Sequence, residues 1–221
     1  MLKIRCSSIG KIMTNSRSKT ETLSKTCKTY LQELAVEQLY GKRKDFSSKY
    51  TDKGNKVEDD AIKLAEKVLD LGFMYKNEEH FTNDYLTGTP DVNTDIILDV
   101  KSSWDATTFP FFAEDIPNKD YFYQLQGYMA LTGKRKAYLC YCLINTPDLM
   151  IEDEVRRAHW KEYLIDENEE LRSHVEAQHN FDNIPAERRI KTFEVRYDKD
   201  VVKAIYDRIK QCREYYNTII E

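Results

Sequence analysis

The 221-residue sequence predicts a single mixed α/β domain, a central β-sheet flanked by helices. Three observations lead there. The length suits one domain, or one plus an insertion, at about 150 residues per domain. Hydrophobic periodicity changes along the chain in the order α-β-β-β-α-β-(α)-β-α. Lys136–Ile144 is β-rich and apolar on both faces, as an interior strand requires.

The elements follow in order. Ser7-Ser8 ahead of Ile9, Ile12 and Met13 predicts a short helix capped by serine. Thr22–Tyr40 has apolar residues at 23, 27, 30, 31, 34 and 39 and a stop at Gly41, which predicts a helix. After a polar, lysine-rich stretch to Asp52, a second helix is expected over Asn55–Leu71. Its stripe is Val57, Ala61, Leu64, Ala65 and Val68, and Gly72 ends it. Phe73–Phe81, Tyr85–Val92 and Asp95–Ser102 read as strands, the last two joined through Asn93-Thr94 as a hairpin. An aromatic-rich loop leads to a helix over Lys119–Thr132, closed by Gly133. Beyond the interior strand, an insertion spans about 148–185, acidic and helical in pattern over 148–182. Lys191–Tyr197 is the last strand and Asp200–Ile220 the C-terminal helix.

Composition narrows the class. The chain is 41% hydrophobic and 33% charged, and no apolar stretch approaches the ~20 residues of a membrane span. Met1–Ser8 has no apolar core of signal-peptide length. Membrane, secreted, collagenous and disordered classes are excluded. Five cysteines, an odd number scattered from Cys6 to Cys212, fit a reducing compartment better than a disulfide framework. Net charge is −4, yet residues 1–50 hold 11 Lys/Arg against 4 Asp/Glu. Two accounts fit that asymmetry: a phosphate-facing surface on an acidic body, or ordinary scatter in a chain one-third charged.

The chemistry is concentrated in Thr87–Ser103. Ile96, Ile97 and Leu98 announce a buried strand, and strand alternation puts Asp99 and Lys101 side by side on one face of it. Opposite charges on a core strand are costly unless they pair or bind an ion. Asp91 ends the neighbouring strand, so antiparallel pairing brings it towards Asp99. Such carboxylates repel each other, and a divalent cation resolves the conflict. Oxygen ligands without histidine or cysteine favour Mg²⁺, with Mn²⁺ as a substitute, over zinc. Lys101 would position water or neutralise developing charge. Asp99 is the only acid in the chain followed two positions later by lysine. The alternative is an ordinary Asp–Lys bridge.

Other residues carry paired readings. Glu58 lies on the core-side flank of its helix, able to point at the sheet or simply placed well in a first turn. Gln124 and Tyr128 share a helix face, either orienting Lys101 or a DNA phosphate, or satisfying each other. The aromatic loop of Trp104, Phe109, Phe111 and Phe112 either stacks bases at a strand junction or packs inside. Cys140 and Cys142 alternate onto one buried face. His159, His174 and His179 lack ligand spacing and are expected at the surface.

Glu58, Pro90-Asp91, Asp99-Val100-Lys101 and Gln124-x-x-x-Tyr128, in that order, resemble the PD-(D/E)XK nuclease superfamily. More narrowly, residues 1–145 resemble its RecB-like branch and the YqaJ-type, lambda-exonuclease-like viral recombinases. The resemblance implies a restriction-endonuclease-like core and a Mg²⁺-dependent deoxyribonuclease. Asp91, Asp99 and the Val100 carbonyl would hold metal, Glu58 would hold metal or its waters, Lys101 would assist the attacking water, and Gln124 would support the site. Cys6–Met13 resembles the family's N-terminal segment, making Ser8 a ligand of a DNA 5′-phosphate. The family's arginine seven residues earlier is Met1 here, which leaves Arg5 as its substitute. Ser102 and Tyr128 complete the DNA-contact set.

The resemblance further implies digestion of one strand from double-stranded DNA ends, 5′ to 3′, leaving a 3′ single strand for phage-type recombination. Expected partners are a single-strand-annealing recombinase and two further copies in a homotrimeric ring, in the bacterial cytoplasm and without membrane contact. No iron–sulfur cluster is expected. The alternatives are a structure- or sequence-specific endonuclease, or a catalytically silent DNA-binding subunit.

Overall fold

The computed structural model of the protein describes residues 1–43, 47–164 and 166–221. Residues 44–46 of the lysine-rich stretch and residue 165 of the acidic insertion lie outside the described residues.

Two sheets organise the chain. The larger has the order β4-β5-β6-β7, from β4 (Val92–Asn93), β5 (Ile97–Ser102), β6 (Lys136–Cys142) and β7 (Ile190–Arg196). β5 and β6 are parallel, and the crossover between them is helix α5 (Lys119–Thr132). β4 and β7 flank this pair antiparallel, so β6 is interior, as its two apolar faces predict. The smaller sheet, in the order β1-β3-β2, joins β1 (Ile4–Arg5), β2 (Phe81–Thr82) and β3 (Leu86–Gly88).

Each face of the larger sheet has its own apolar layer. Leu98 and Val100 of β5, with Cys140 and Cys142 of β6, pack against Ala61, Ile62 and Ala65 of α4 (Glu58–Leu69). Ile97 and Leu139 turn the other way. They join Leu125 and Met129 of α5 and the helices α1 (Ile9–Ile12), α2 (Lys25–Tyr40) and α8 (Lys199–Ile220). Cys27 of α2 and Cys212 of α8 are buried here, their sulfurs 3.6 Å apart.

Several elements differ from expectation. Ser8 caps nothing: Cys6–Ser8 is a 3₁₀ turn running straight into α1, so the serine is already inside the winding backbone. The next helix starts at Lys25, because the Ser24 hydroxyl accepts the Cys27 N–H and caps it there. The single helix of Asn55–Leu71 is two, α3 (Lys49–Lys56) and α4, broken at Val57 with φ −112° and ψ 13°. A Ser48–Thr51 capping box starts α3 inside the polar, lysine-rich stretch. Left-handed Asp70, rather than Gly72, ends α4. Of Phe73–Phe81 only the last residue is strand. Tyr85–Val92 is split between the two sheets at Thr89–Asp91, where Pro90 has no N–H to offer a ladder.

The acidic insertion folds as α6 (Asp148–Lys161) and α7 (Glu169–His179). His179 is a correction: it is buried at 4% exposure, edge-on to Trp104 and hydrogen-bonded through Nδ1 to Thr146. Its position at the end of α7 turns it inward. His159 is half-buried, and His174 lies at the surface as expected. Among the described residues no helix is long and apolar enough to cross a membrane.

Candidate active site

β5 carries the site. Its register pairs Leu98 with Val92, so the chain one residue before Val92 stands opposite Asp99. That residue is Asp91, whose Oδ2 accepts the Val100 N–H at 2.8 Å. A carboxylate thus takes the place a neighbouring strand's carbonyl would fill. N–H and C=O of one strand residue project to the same edge, so the Val100 carbonyl faces the Asp91 side too.

Asp99 and Lys101 share the face turned towards α5, and they are ion-paired through Asp99 Oδ2. The other oxygen, Oδ1, accepts from Gln124 Nε2 at 3.1 Å, and the same amide donates to the Tyr128 hydroxyl at 3.0 Å. Gln124 and Tyr128 therefore satisfy each other, and the amide's second contact is Asp99 rather than Lys101. The Lys101 ammonium also lies 5.0 Å from the centroid of the Tyr121 ring.

Electrostatics mark the cluster as strained by like charge. Burial pushes the Asp91 carboxyl up to about 7, the Asp99 carboxylate adds to it, Lys101 and the Val100 N–H oppose it, and Glu58 contributes repulsion. Burial would lower Lys101, but Asp99 and Asp91 outweigh it and hold the ammonium charged. Tyr128 is raised by burial and by Asp99, so its phenol stays protonated.

The remaining predicted residues divide. Glu58 opens α4, close enough for Asp91 to feel its charge, and its carboxylate pairs with Lys76 at 3.2 Å. Arg5 is engaged by Glu37 at 2.7 Å. It lines a cleft of about 380 Å³ with Ser7, His80, Thr87, Thr89 and Tyr128. Ser8 is buried beside the Tyr30 phenol. Ser102 follows Leu98 and Val100 onto the α4 face, away from Lys101, with its hydroxyl buried and without a hydrogen-bond partner. Trp104 is buried, whereas Phe112 is 91% exposed, so the aromatic loop is packed at its start and solvated further on. A larger cleft of about 880 Å³ opens between Lys11–Ser18 and α2, and no residue of the acid cluster lines it.

Two residues escaped sequence reasoning. Asn77 donates its side-chain amide to the Pro90 carbonyl, and its main-chain N–H to the Asp91 carbonyl, fixing the turn that presents Asp91. His80 bridges Thr87 and Thr89 at 2.7 and 2.9 Å, stiffening the same segment. Neither stands in a motif. Only the turn at Pro90 hints that this segment needs holding.

Among the described residues no group of three or more His, Cys, Asp or Glu side chains is placed to hold a metal ion. The oxygens available at the cluster would be two carboxylates and one carbonyl, from Asp91, Asp99 and Val100. That hard, sparse set suits a small divalent cation that keeps several of its waters.

Asp91, Asp99 and Lys101 thus meet on a mixed sheet flanked by helices, with buried Asp99 held by an amide from the crossover helix. The chain is similar to the phage-related exonuclease of Haemophilus somnus 129PT, at 31% identity and a TM-score of 0.80 over 99% of this chain and 95% of that one. It belongs to that family of phage-related exonucleases. The alkaline exonuclease LHK-Exo of Laribacter hongkongensis has the same fold, at 15% identity and a TM-score of 0.65 over 99% of this chain and 89% of that one. The same enzyme in complex with dAMP matches equally well, at 16% identity and a TM-score of 0.65 over the same shares of the two chains. No protein-family model and no curated protein matches the chain.

Proposed function

We propose that the protein is a divalent-metal-dependent DNA exonuclease of the PD-(D/E)XK, YqaJ-like type. It digests one strand of a duplex end 5′ to 3′ and leaves a 3′ single strand for phage-type recombination. One observation carries the reading: Asp91 and Asp99 stand opposite each other in register, one bonded to the Val100 N–H and the other to Lys101 and Gln124.

Asp91, Asp99 and the Val100 carbonyl would bind Mg²⁺ or Mn²⁺, with Glu58 acting through water. When bound, the cation supplies Lewis acidity, acidifying water and drawing charge from the scissile phosphate. Gln124 holds Asp99 in one rotamer. Lys101, kept protonated by its two acids, can donate to the attacking water or to the developing phosphorane charge. Arg5, by leaving Glu37, and Ser8 would take the 5′-phosphate, and a trimeric ring and a single-strand-annealing recombinase are the partners this reading entails. A basic lining would let an acidic chain hold DNA.

The test is digestion of end-labelled linear duplex with Mg²⁺. Asp99→Ala and Lys101→Ala should each lose activity about 100-fold or more, some 2.7 kcal/mol of transition-state stabilisation. Wild-type rates in both would move the chemistry elsewhere. A covalently closed circle separates the alternatives, since only an endonuclease nicks it.

A further inference from the structure

Lys53 is fully buried, and its ammonium donates to two main-chain carbonyls, Ser103 O and Trp104 O, at 2.8 Å each. The Phe181 and Trp104 rings close over it at 5.5 and 5.8 Å. A buried charge costs several kcal/mol in lost hydration, and a methionine of similar length would fill the same space without that cost. What the ammonium adds is direction: it fixes where two carbonyls lie.

Those carbonyls are well placed to matter. Ser103 and Trp104 come two and three residues after Lys101, where the chain leaves β5, and the Ser103 N–H still bonds Cys142 O of β6. Lys53 itself sits in α3, five residues before Glu58 and separated from α4 only by the break at Val57. One side chain therefore ties α3, which leads directly into the helix that carries Glu58, to the segment that directly follows the strand of Asp99 and Lys101. Through Phe181 and the Trp104–His179 contact it also touches the seat of the α6–α7 insertion.

We propose that Lys53 is a positioning residue: by holding the Ser103 and Trp104 carbonyls it sets the spacing between the Glu58 helix and the Asp99–Lys101 strand. The inference rests on the metal-dependent reading of the acid site. Lys53 touches neither the acids nor any group placed to react, so its effect is on geometry. Displacements of about 1 Å at such sites cost up to about 100-fold in rate.

Lys53→Met, Lys53→Gln, Asp99→Ala and wild type are compared in two measurements. The first is digestion of labelled duplex over a range of Mg²⁺ concentrations. The second is thermal unfolding of the DNA-free protein with and without Mg²⁺. Lys53→Met should lower kcat about 10- to 100-fold and raise the Mg²⁺ needed for half-maximal rate about tenfold. KM for duplex should stay within about twofold, and the Mg²⁺-induced rise in Tm should shrink. Lys53→Gln, one atom shorter but still able to donate through its amide, should fall between. A folded variant with lower Tm but wild-type kcat, Mg²⁺ dependence and Mg²⁺-induced Tm rise overturns the positioning role. An Asp99→Ala protein that still digests duplex overturns the site reading itself.

Discussion

Gln124 gives one amide proton to Asp99 and the other to the Tyr128 hydroxyl, and all three side chains are buried. Removing the hydroxyl leaves a buried donor unpaired while every acid remains. Tyr128→Phe should therefore cost about 1–3 kcal/mol in urea unfolding. It should slow duplex digestion by about 3- to 10-fold, far less than loss of Asp99. A variant indistinguishable from wild type in both would mean the phenol does not hold the amide. At this scale the sequence was informative where spacing alone decides geometry. Asp99 and Lys101 are two apart on a strand, and Gln124 and Tyr128 four apart on a helix. It was uninformative for Lys53 and His179, which look like solvated residues among polar neighbours. Their burial comes from partners 50 and 33 positions away, Ser103 and Thr146.

The crossover helix α5 packs closely against the N-terminal segment. A Cβ on Gly127 would stand 2.5 Å from Ile9 Cδ1 and 2.9 Å from Cys6 Sγ. Gly127→Val should force α5 outward and destabilise the protein by about 1–3 kcal/mol in urea unfolding. Digestion should fall with it, since Gln124 is one turn away. Unchanged stability would mean the N-terminal turn yields freely. Element boundaries were harder to read than elements. The interior character of β6 followed from its composition, and α5 ends at Gly133 as expected. The break at Val57 has no proline or glycine to announce it. The split of Tyr85–Val92 did carry a signal in Pro90, but alternation of the surrounding residues pointed to one continuous strand.

Over the whole molecule, the α6–α7 hairpin is fastened to α3 and to the segments that follow β5 and β6 through His179 on Trp104, His179 to Thr146 and Lys49 to Glu154 at 3.0 Å. Burial lowers the His179 pKa, as do Lys53 and Lys49, against Glu154 and Asp105. The unfolded imidazole thus takes a proton more readily than the folded one. The stability His179 contributes is complete above about pH 6.5 and is lost as pH falls below that. Thermal unfolding at pH 5.5 and 7.5 should show a steeper acid loss for wild type than for His179→Gln, and equal slopes would remove His179 from the account. The mixed sheet and its flanking helices were legible from the order of periodicities. The division into two sheets was not, because two- and three-residue strands leave too little pattern to read.

All five thiols are enclosed, and the tip of the aromatic loop is open to solvent at Phe112. A single cysteine placed there would be the one sulfhydryl a maleimide dye meets in the native fold. The loop could then be watched by fluorescence as a duplex end arrives, against a background free of competing labels.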